Sequence, residues 1–390
     1  MTRRFDPIAK KNDLEAFRHE IRAWLQATIP PNWHETMADA DERRFVEFQR
    51  DWFVEMKKVG LGTPHWPKDW GGPDLSLRHQ VIIFEEIAQM DAPTADLYTI
   101  TLYHLPATLF GYGTPAQRER YLKGALERNE VWCQGFSEPN AGSDLASLRT
   151  RAERKGDSYV VNGSKIFITN GYLAELIALV VKTTPGEGAK GTSILMVETR
   201  DLPGYRVGRI LDKMGLKAQD TAELFFENVR VPAANLLGGT EGQGFYQLMS
   251  DLPYERALIA VVGVGAMEGA LLETARYVKE RKAFGRSVAE FQNTKFKLAE
   301  IATKTRVARV FVDDCIERIV AGTLDTVTAS MAKYWVTDTQ QEVLDECVQL
   351  HGGYGYMNEY LVCRMFVDSR VQRIYGGTNE IMKELISRSI

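Results

Sequence analysis

Tyr159-Val160-Val161-Asn162-Gly163-Ser164-Lys165-Ile166-Phe167-Ile168, near the middle of the chain, decides the architecture. Short β-branched and aromatic runs bounded by turn formers read as strands. Gly156-Asp157 ahead of the stretch and Asn162-Gly163 inside it supply tight turns. The same texture spreads outward from Val131 to about Leu237, through Ile177 to Val181, Ile194 to Val197 and Leu224-Phe225-Phe226. No helix-length connection separates these runs, so the expected sheet is antiparallel.

Beyond either edge the apolar period becomes helical. From Leu14 to about residue 128 it shows in Phe45, Phe48, Trp52, Phe53 and Met56, and again from Val81 to Ile87. Gly62 to Pro73, with three prolines and three glycines, reads as a loop between them. On the other side, amphipathic runs cover Tyr254 to Lys282, Phe291 to Ala321, Val327 to Leu350 and Asn379 to Ser389. Pro253 suits a first helical position, which places Glu255 in a first turn. The expected fold is α+β: an N-terminal α-helical domain over 1–128, a middle antiparallel β domain over 129–240 and a C-terminal four-helix-bundle domain over 241–390.

Composition narrows the function classes. The 390 residues are 44% hydrophobic and 26% charged, with a net charge of −4, which gives no electrostatic footprint for nucleic acid. Four cysteines without C-x-x-C spacing argue against a zinc site or a disulfide framework, so no metal is expected. The basic start Met1-Thr2-Arg3-Arg4 runs into Phe5-Asp6-Pro7 without an apolar stretch. This predicts a cytoplasmic protein, with no run approaching the ~20 apolar residues of a membrane span.

Four motifs carry chemistry. Gly135-Phe136-Ser137-Glu138-Pro139-Asn140-Ala141-Gly142-Ser143-Asp144 leaves a strand into a loop of small and hydroxyl residues, where backbone can approach a flat or anionic ligand. Gln349-Leu350-His351-Gly352-Gly353-Tyr354-Gly355-Tyr356 puts three glycines after a helix, where free amides can receive phosphate, although such turns also simply end helices. Tyr375-Gly376-Gly377-Thr378-Asn379-Glu380 sets an N-cap and an anion-friendly helix start. Arg281-Lys282-Ala283-Phe284-Gly285-Arg286 is a cationic helix end, which dipole pairing alone would explain.

In order and spacing, these runs resemble the acyl-CoA dehydrogenase family, together with Phe226-Glu227-Asn228-Val229-Arg230-Val231-Pro232 and Asn358-Glu359-Tyr360 with Arg364. The resemblance spans essentially the whole chain and implies an α–β–α architecture. It implies FAD held between the β domain and the C-terminal helices, an acyl-CoA substrate, and an electron-transfer flavoprotein as electron acceptor. It also implies a homotetramer built as a dimer of dimers, and a place in fatty acid β-oxidation.

Carried residue by residue, the resemblance puts Phe136 and Ser137 on the flavin ring, with Phe167, Ile168 and Thr169 as the other wall. Arg281, Phe284 and Gln292 would serve the FAD of a partner subunit, and Gln349, Gly352 and Gly353 its pyrophosphate or adenosine end. Thr378, Asn379 and Glu380 would approach the FAD phosphates, and Ser143 and Arg256 the acyl-CoA. Phe167 stands where many relatives have tryptophan, and Ala222 where arginine is usual.

Most relatives carry the catalytic glutamate at the position of Gly376, where this chain can offer only a backbone amide to the thioester oxygen. Leu252-Pro253-Tyr254-Glu255-Arg256 resembles the alternative site used by the long-chain and isovaleryl branches, so Glu255 is the expected base. Glu380 is the second carboxylate considered. The combination of Glu255, Gly376 and Phe167 implies an acyl group of medium or long chain. A flavin monooxygenase, a nitroalkane oxidase and a catalytically inactive binding protein are the rival readings.

Overall fold

The computed structural model describes residues 13–38, 40, 42–90, 92–94, 96–127 and 129–390. The basic start Met1-Thr2-Arg3-Arg4 lies outside the described residues. Helices α1 (Leu14–Thr28), α2 (Trp33–Ala38), α3 (Glu42–Lys58), α4 (Leu77–Gln89), α5 (Leu105–Tyr112) and α6 (Pro115–Glu127) form the N-terminal region. Asp13 caps α1 by accepting the Ala16 N–H at 2.9 Å. The Gly62–Pro73 loop is anchored by buried Trp66, whose Nε1 donates to the Leu102 carbonyl at 2.9 Å. Ahead of α5 the chain widens into a π-helical segment, Ile100–His104.

The sheet follows: β1 (Trp132–Gly135), β2 (Arg151–Lys155), β3 (Ser158–Thr169), β4 (Leu176–Lys182), β5 (Thr192–Glu198), β6 (Tyr205–Ile210) and β7 (Thr221–Pro232). Its order is β1-β4-β2-β3-β7-β6, with β5 also on β4. Most pairs are antiparallel, but β1 runs parallel to β4, with Trp132 opposite Leu176, and β2 also meets β4 in parallel. The sheet is therefore mixed rather than antiparallel throughout. The β2–β3 hairpin makes the crossover that a parallel pair needs, so the absence of a helix there did not forbid one.

β4 explains its unbroken apolar sequence. Leu176, Ala178 and Val180 pack with the N-terminal helices, while Ile177, Leu179 and Val181 pack with the other face of the sheet. A strand buried on both faces loses the apolar–polar alternation. Gly156-Asp157 does turn β2 into β3. Asn162-Gly163 does not turn: β3 continues through it with a bulge against β7. A Cβ at Gly163 would stand 2.7 Å from the Thr150 Cα, so glycine is needed there for close approach and not for reversal.

The C-terminal domain comprises α7 (Gly244–Glu280), the two-residue strands β8 (Lys282–Ala283) and β9 (Arg286–Ser287), α8 (Gln292–Val320), α9 (Thr326–His351), α10 (Leu361–Ser369) and α11 (Asn379–Ser387). Three long helices and α10 bury one core of Ala260, Val264, Met267, Ala308, Val312, Val336 and Val362, joined by Val81 of α4. Arg309 of α8 ties the same elements together, pairing with Glu85 at 2.7 Å and Glu268 at 2.8 Å.

Two expectations change at α7. The helix begins ten residues before Tyr254, so Pro253 is interior and Glu255 sits well inside, not in a first turn. An interior proline gives up one helical hydrogen bond. The first turn is instead held at the sheet, where a Cβ on Gly244 would stand 2.7 Å from Ser193 Cα. The helix is also long and apolar enough to meet the criteria for a membrane span, with a mean hydropathy of 1.6 over 18 residues, contrary to the expectation of no such run. Its place at the centre of the helical core accounts for that composition.

Candidate functional site

The loop after β1 is built on a buried ion pair. Lys165 of β3 is fully buried and donates to Glu138 Oε1 at 2.9 Å and to the Phe136 carbonyl at 3.0 Å. Glu138 also accepts the N–H groups of Arg149, at 2.6 Å, and Thr150, at 2.9 Å. Burial pushes the Lys165 ammonium down to about 8, with Glu138 opposing the shift. The Ile166 N–H donates to the Ser137 carbonyl at 3.0 Å. Phe136 and Ser137 are thus fastened to β3.

Two residues further along β3, at a second bulge, Phe167 takes φ +61° and leaves 66% of its surface exposed. A bulky residue in left-handed backbone is uncommon, and its outward-facing ring is open to a ligand. Ile168 points into the sheet core, so only its backbone is available to a ligand, and Thr169 is half-buried beside it. Ser143 is exposed on the turn that follows.

Glu255 lies where the π-helical segment meets α7. Its Oε1 is 3.3 Å from His104 Nδ1, with each side chain about four-fifths buried. One turn away on both helices, Thr108 donates to Asp251 at 3.0 Å. Burial raises the Asp251 carboxyl, Thr108 works against that, and Glu255 adds to it. Leu105 and Thr108 of α5, Phe136, and Leu248 of α7 line one small apolar void of about 10 Å³, so α7 and the Phe136 loop meet across α5. His104 carried no sequence signal, because its partner is distant along the chain. The π-helical turn, often a functional feature, was the signal available only in the backbone.

The glycine turn before α11 is clamped from two sides. Arg256, buried, donates through Nε to the Gly376 carbonyl at 3.3 Å and through Nη1 to Ser330 at 3.4 Å. Lys333, also buried, donates to the Gly377 carbonyl at 2.8 Å and to Asn379 Oδ1 at 2.9 Å. Gly376 holds φ +65°, and a Cβ there would stand 2.8 Å from Ile259 Cδ1. Arg256 therefore acts first on the turn. Asn379 spends its carboxamide on α9, donating to Asp338 and Thr337, and can offer a ligand only its backbone. Thr378 caps α11 through the Ile381 N–H at 3.3 Å, and Glu380 is exposed on its first turn.

A third group forms an open cleft of about 590 Å³ lined by Arg281, Gln349, His351, Gly352, Gly353 and Tyr354. Arg281 lies over the Tyr354 ring at 5.5 Å. Gly352 has φ +62°, and no atom lies within 4 Å of a Cβ on either Gly352 or Gly353. His351 stacks on Tyr277 at 4.1 Å. Its Nδ1 donates to the Cys347 carbonyl at 2.8 Å, leaving Nε2 buried without a partner. Burial lowers the ring's proton affinity, so Nε2 is an unpaired acceptor in the cleft wall. Phe284, 95% exposed at φ +52°, and exposed Gln292 lie on the adjoining hairpin and helix start and do not line the cleft. Arg281, the C-cap of α7, follows Glu255 by 26 positions along the chain, about 39 Å of helix.

An exposed aromatic ring beside a fastened loop, a cleft with free amides and a cation, and a mostly buried carboxylate next in sequence to the arginine that clamps a glycine turn fit a dinucleotide cofactor and a proton-abstracting base. The fold and site define a cofactor-dependent dehydrogenase. The acyl-CoA dehydrogenase N-terminal, middle and C-terminal domain families match residues 11–129, 133–229 and 242–390. The chain belongs to the acyl-CoA dehydrogenase family: it is an FAD-dependent oxidoreductase acting on acyl-CoA, of fatty acid metabolism.

The chain is 43% identical over 379 residues to the mitochondrial long-chain specific acyl-CoA dehydrogenase of Mus musculus, covering 96% of this chain and 86% of the mouse protein. Acyl-CoA dehydrogenase from Geobacillus kaustophilus superposes with TM-score 0.87 at 39% identity, covering 97% and 98% of the two chains. A solved structure of the electron transferring flavoprotein of Acidaminococcus fermentans contains a chain that matches with TM-score 0.86 at 33% identity, covering 97% of each. The mouse relative is mitochondrial, so these likenesses lend the cytoplasmic expectation no support.

Proposed function

We propose that Glu255 removes the α-proton of an acyl-CoA and that the Gly376 amide holds the thioester oxygen, in a chain whose domains meet near residues 129 and 241. One observation carries this reading. Gly376 has no carboxylate and no room for a Cβ without displacing Ile259 Cδ1, whereas Glu255 lies mostly buried at the junction of the N-terminal and C-terminal helices. FAD, when bound, supplies the acceptor for the β-hydride, so that the product is a trans-2-enoyl-CoA.

The chain's own residues bind, orient and take the proton. Arg256 and Lys333 fix the 376–377 turn so that the Gly376 N–H can meet the enolate oxygen, where preorganised donors act most strongly. Phe136, Ser137, Phe167, Ile168 and Thr169 form the flavin seat, the last two through backbone and edge. Ser143 contacts the CoA moiety. Thr378, Asn379 and Glu380 present a capped helix start to the cofactor phosphates. Mixing the purified yellow protein anaerobically with acyl-CoA tests the reading. Bleaching of the flavin supports it, and an unreactive oxidised flavin favours a monooxygenase or an inactive binder.

The acyl group proposed is of medium or long chain, in line with the mouse relative's name. The electron acceptor proposed is an electron-transfer flavoprotein, in line with the Acidaminococcus fermentans match. A kcat/KM series over chain lengths checks the first, and a sharp preference for butyryl- or isovaleryl-CoA would contradict it.

The assembly proposed is a homotetramer, a dimer of dimers. Its support is geometric: some 39 Å along α7 puts Arg281 out of reach of the cofactor that Glu255 works against. The cleft with Arg281, Gln349, Gly352 and Gly353, and exposed Phe284 and Gln292 beside it, would then serve the FAD of a partner subunit. Arg281 makes no ion pair among the described residues, lies over the Tyr354 ring in the cleft wall, and is available to a phosphate. Arg281→Ala is expected to weaken FAD retention by roughly tenfold, about 1.4 kcal/mol of a charge-assisted contact. Its melting temperature as apoprotein should stay near wild type. Flavin retained on a desalting column to the wild-type extent would contradict the assignment.

A further inference from the structure

The mechanism above uses Glu255 but leaves His104 without a task. The two approach from different domains: His104 closes the π-helical segment Ile100–His104, and Glu255 sits about a third of the way along α7. Nδ1 and Oε1 lie 3.3 Å apart, and the parallel contact of Thr108 with Asp251 one turn away fixes the spacing of the two helices. A π-bulge inserts a residue into the helical register and so re-aims the side chain that ends it. Here that side chain is the one that reaches the base.

We propose that His104 is a positioning residue for the catalytic base, its Nδ1 holding Oε1 of Glu255 so that the other oxygen is left to meet the substrate's α-proton. This rests on the reading of Glu255 as the base. A carboxylate on a flexible glutamate has several rotamers, and a fixed one converts more of its encounters into proton transfer. The neutral imidazole with its proton on Nδ1 donates to Glu255 and orients it. The imidazolium holds the same oxygen more tightly and competes with the α-proton for the carboxylate's charge, so protonation of His104 should set the acid limb of the reaction.

The charged and titratable groups around the pair are few. On α7 these are Asp251, Tyr254 and Arg256; on the segment opposite, Tyr103 precedes His104. Tyr254 donates to Gln80 of α4 at 3.2 Å, and Arg256 is turned to the Gly376 carbonyl. Burial disfavours the charged His104 ring, but attraction to Glu255 and the hydrogen bond outweigh it, and the net shift is upward. The stability this gives is complete below about 6.5, the ordinary histidine value, and is lost as pH rises through the raised folded value.

Two measurements test the proposal. In the first, stopped-flow reduction of the flavin by acyl-CoA is followed against pH for His104→Ala, His104→Gln and wild type. His104→Ala should slow reduction by roughly 10–100-fold, the size of a small misplacement of a reacting group, with little change in KM. His104→Gln keeps an N–H donor without a titrating charge, so it should recover much of the rate and move the acid limb to lower pH. In the second, the imidazole is titrated by NMR in the whole protein, with His104→Gln identifying its signal among six histidines. Wild-type His104 should titrate above ordinary histidine, and Glu255→Gln should lower it. An unchanged rate and pH profile in His104→Ala overturns the proposal, as does a His104 titration that Glu255→Gln leaves unmoved. Full activity in Glu255→Gln would sink the base assignment itself, and the NMR titration would still judge whether the two side chains are paired.

Discussion

Glu255→Gln is expected to slow reduction of the bound flavin by acyl-CoA by at least about 10²–10⁴-fold, the usual worth of a positioned acid–base group. The amide keeps the length and shape of glutamate, and its oxygen can still meet His104 Nδ1, so folding should be unaffected. Flavin content and acyl-CoA affinity should therefore hold while the chemical step fails. That split separates loss of a base from loss of a pocket. Single-turnover absorbance of the flavin reads the rate, and the spectral change on adding acyl-CoA reads the affinity. Wild-type reduction kinetics in this variant would return the question to Glu380, the exposed carboxylate on the first turn of α11.

The second large effect is on stability. Lys165→Met should cost about 3–5 kcal/mol, because removing one partner of a buried pair strands the other charge. Glu138 would keep the Arg149 and Thr150 N–H groups but lose its ion-pair partner among the described residues, and the Phe136 carbonyl would lose its Lys165 donor. Both losses fall on the loop that seats the flavin, so cofactor retention should fall along with the midpoint of urea unfolding. Glu138→Gln combined with Lys165→Met should recover part of the loss, since no unpaired charge is then buried. A single variant that unfolds at the wild-type midpoint would show that the pair contributes nothing beyond packing.

What could be read ahead of the structure followed from local physics. The helix–sheet–helix order came from the change of apolar period at the edges of the strand region, and the Gly156-Asp157 reversal from turn chemistry. The Arg281 and 349–353 motifs were legible as runs, and the structure brings them into one cleft. Three features were not legible, each for its own reason. Asn162-Gly163 has the composition of a turn, and only the proximity of Thr150 makes it a bulge. Pro253 has the chemistry of a helix start, but packing of Gly244 on the sheet carries the helix back past it. His104 reaches Glu255 across a domain interface, which no local pattern encodes.

The length of α7 between Glu255 and Arg281 has a genetic consequence. If the cleft around Arg281 serves a neighbour's cofactor, no single polypeptide supplies every part of one working centre. Two defective alleles, one lacking the glutamate and one lacking the arginine, could then restore each other in mixed assemblies. A polypeptide with an intact base would meet flavin held by the arginine of its neighbour. Inheritance of such alleles would look recessive singly and complementing in trans, although both lie in one gene.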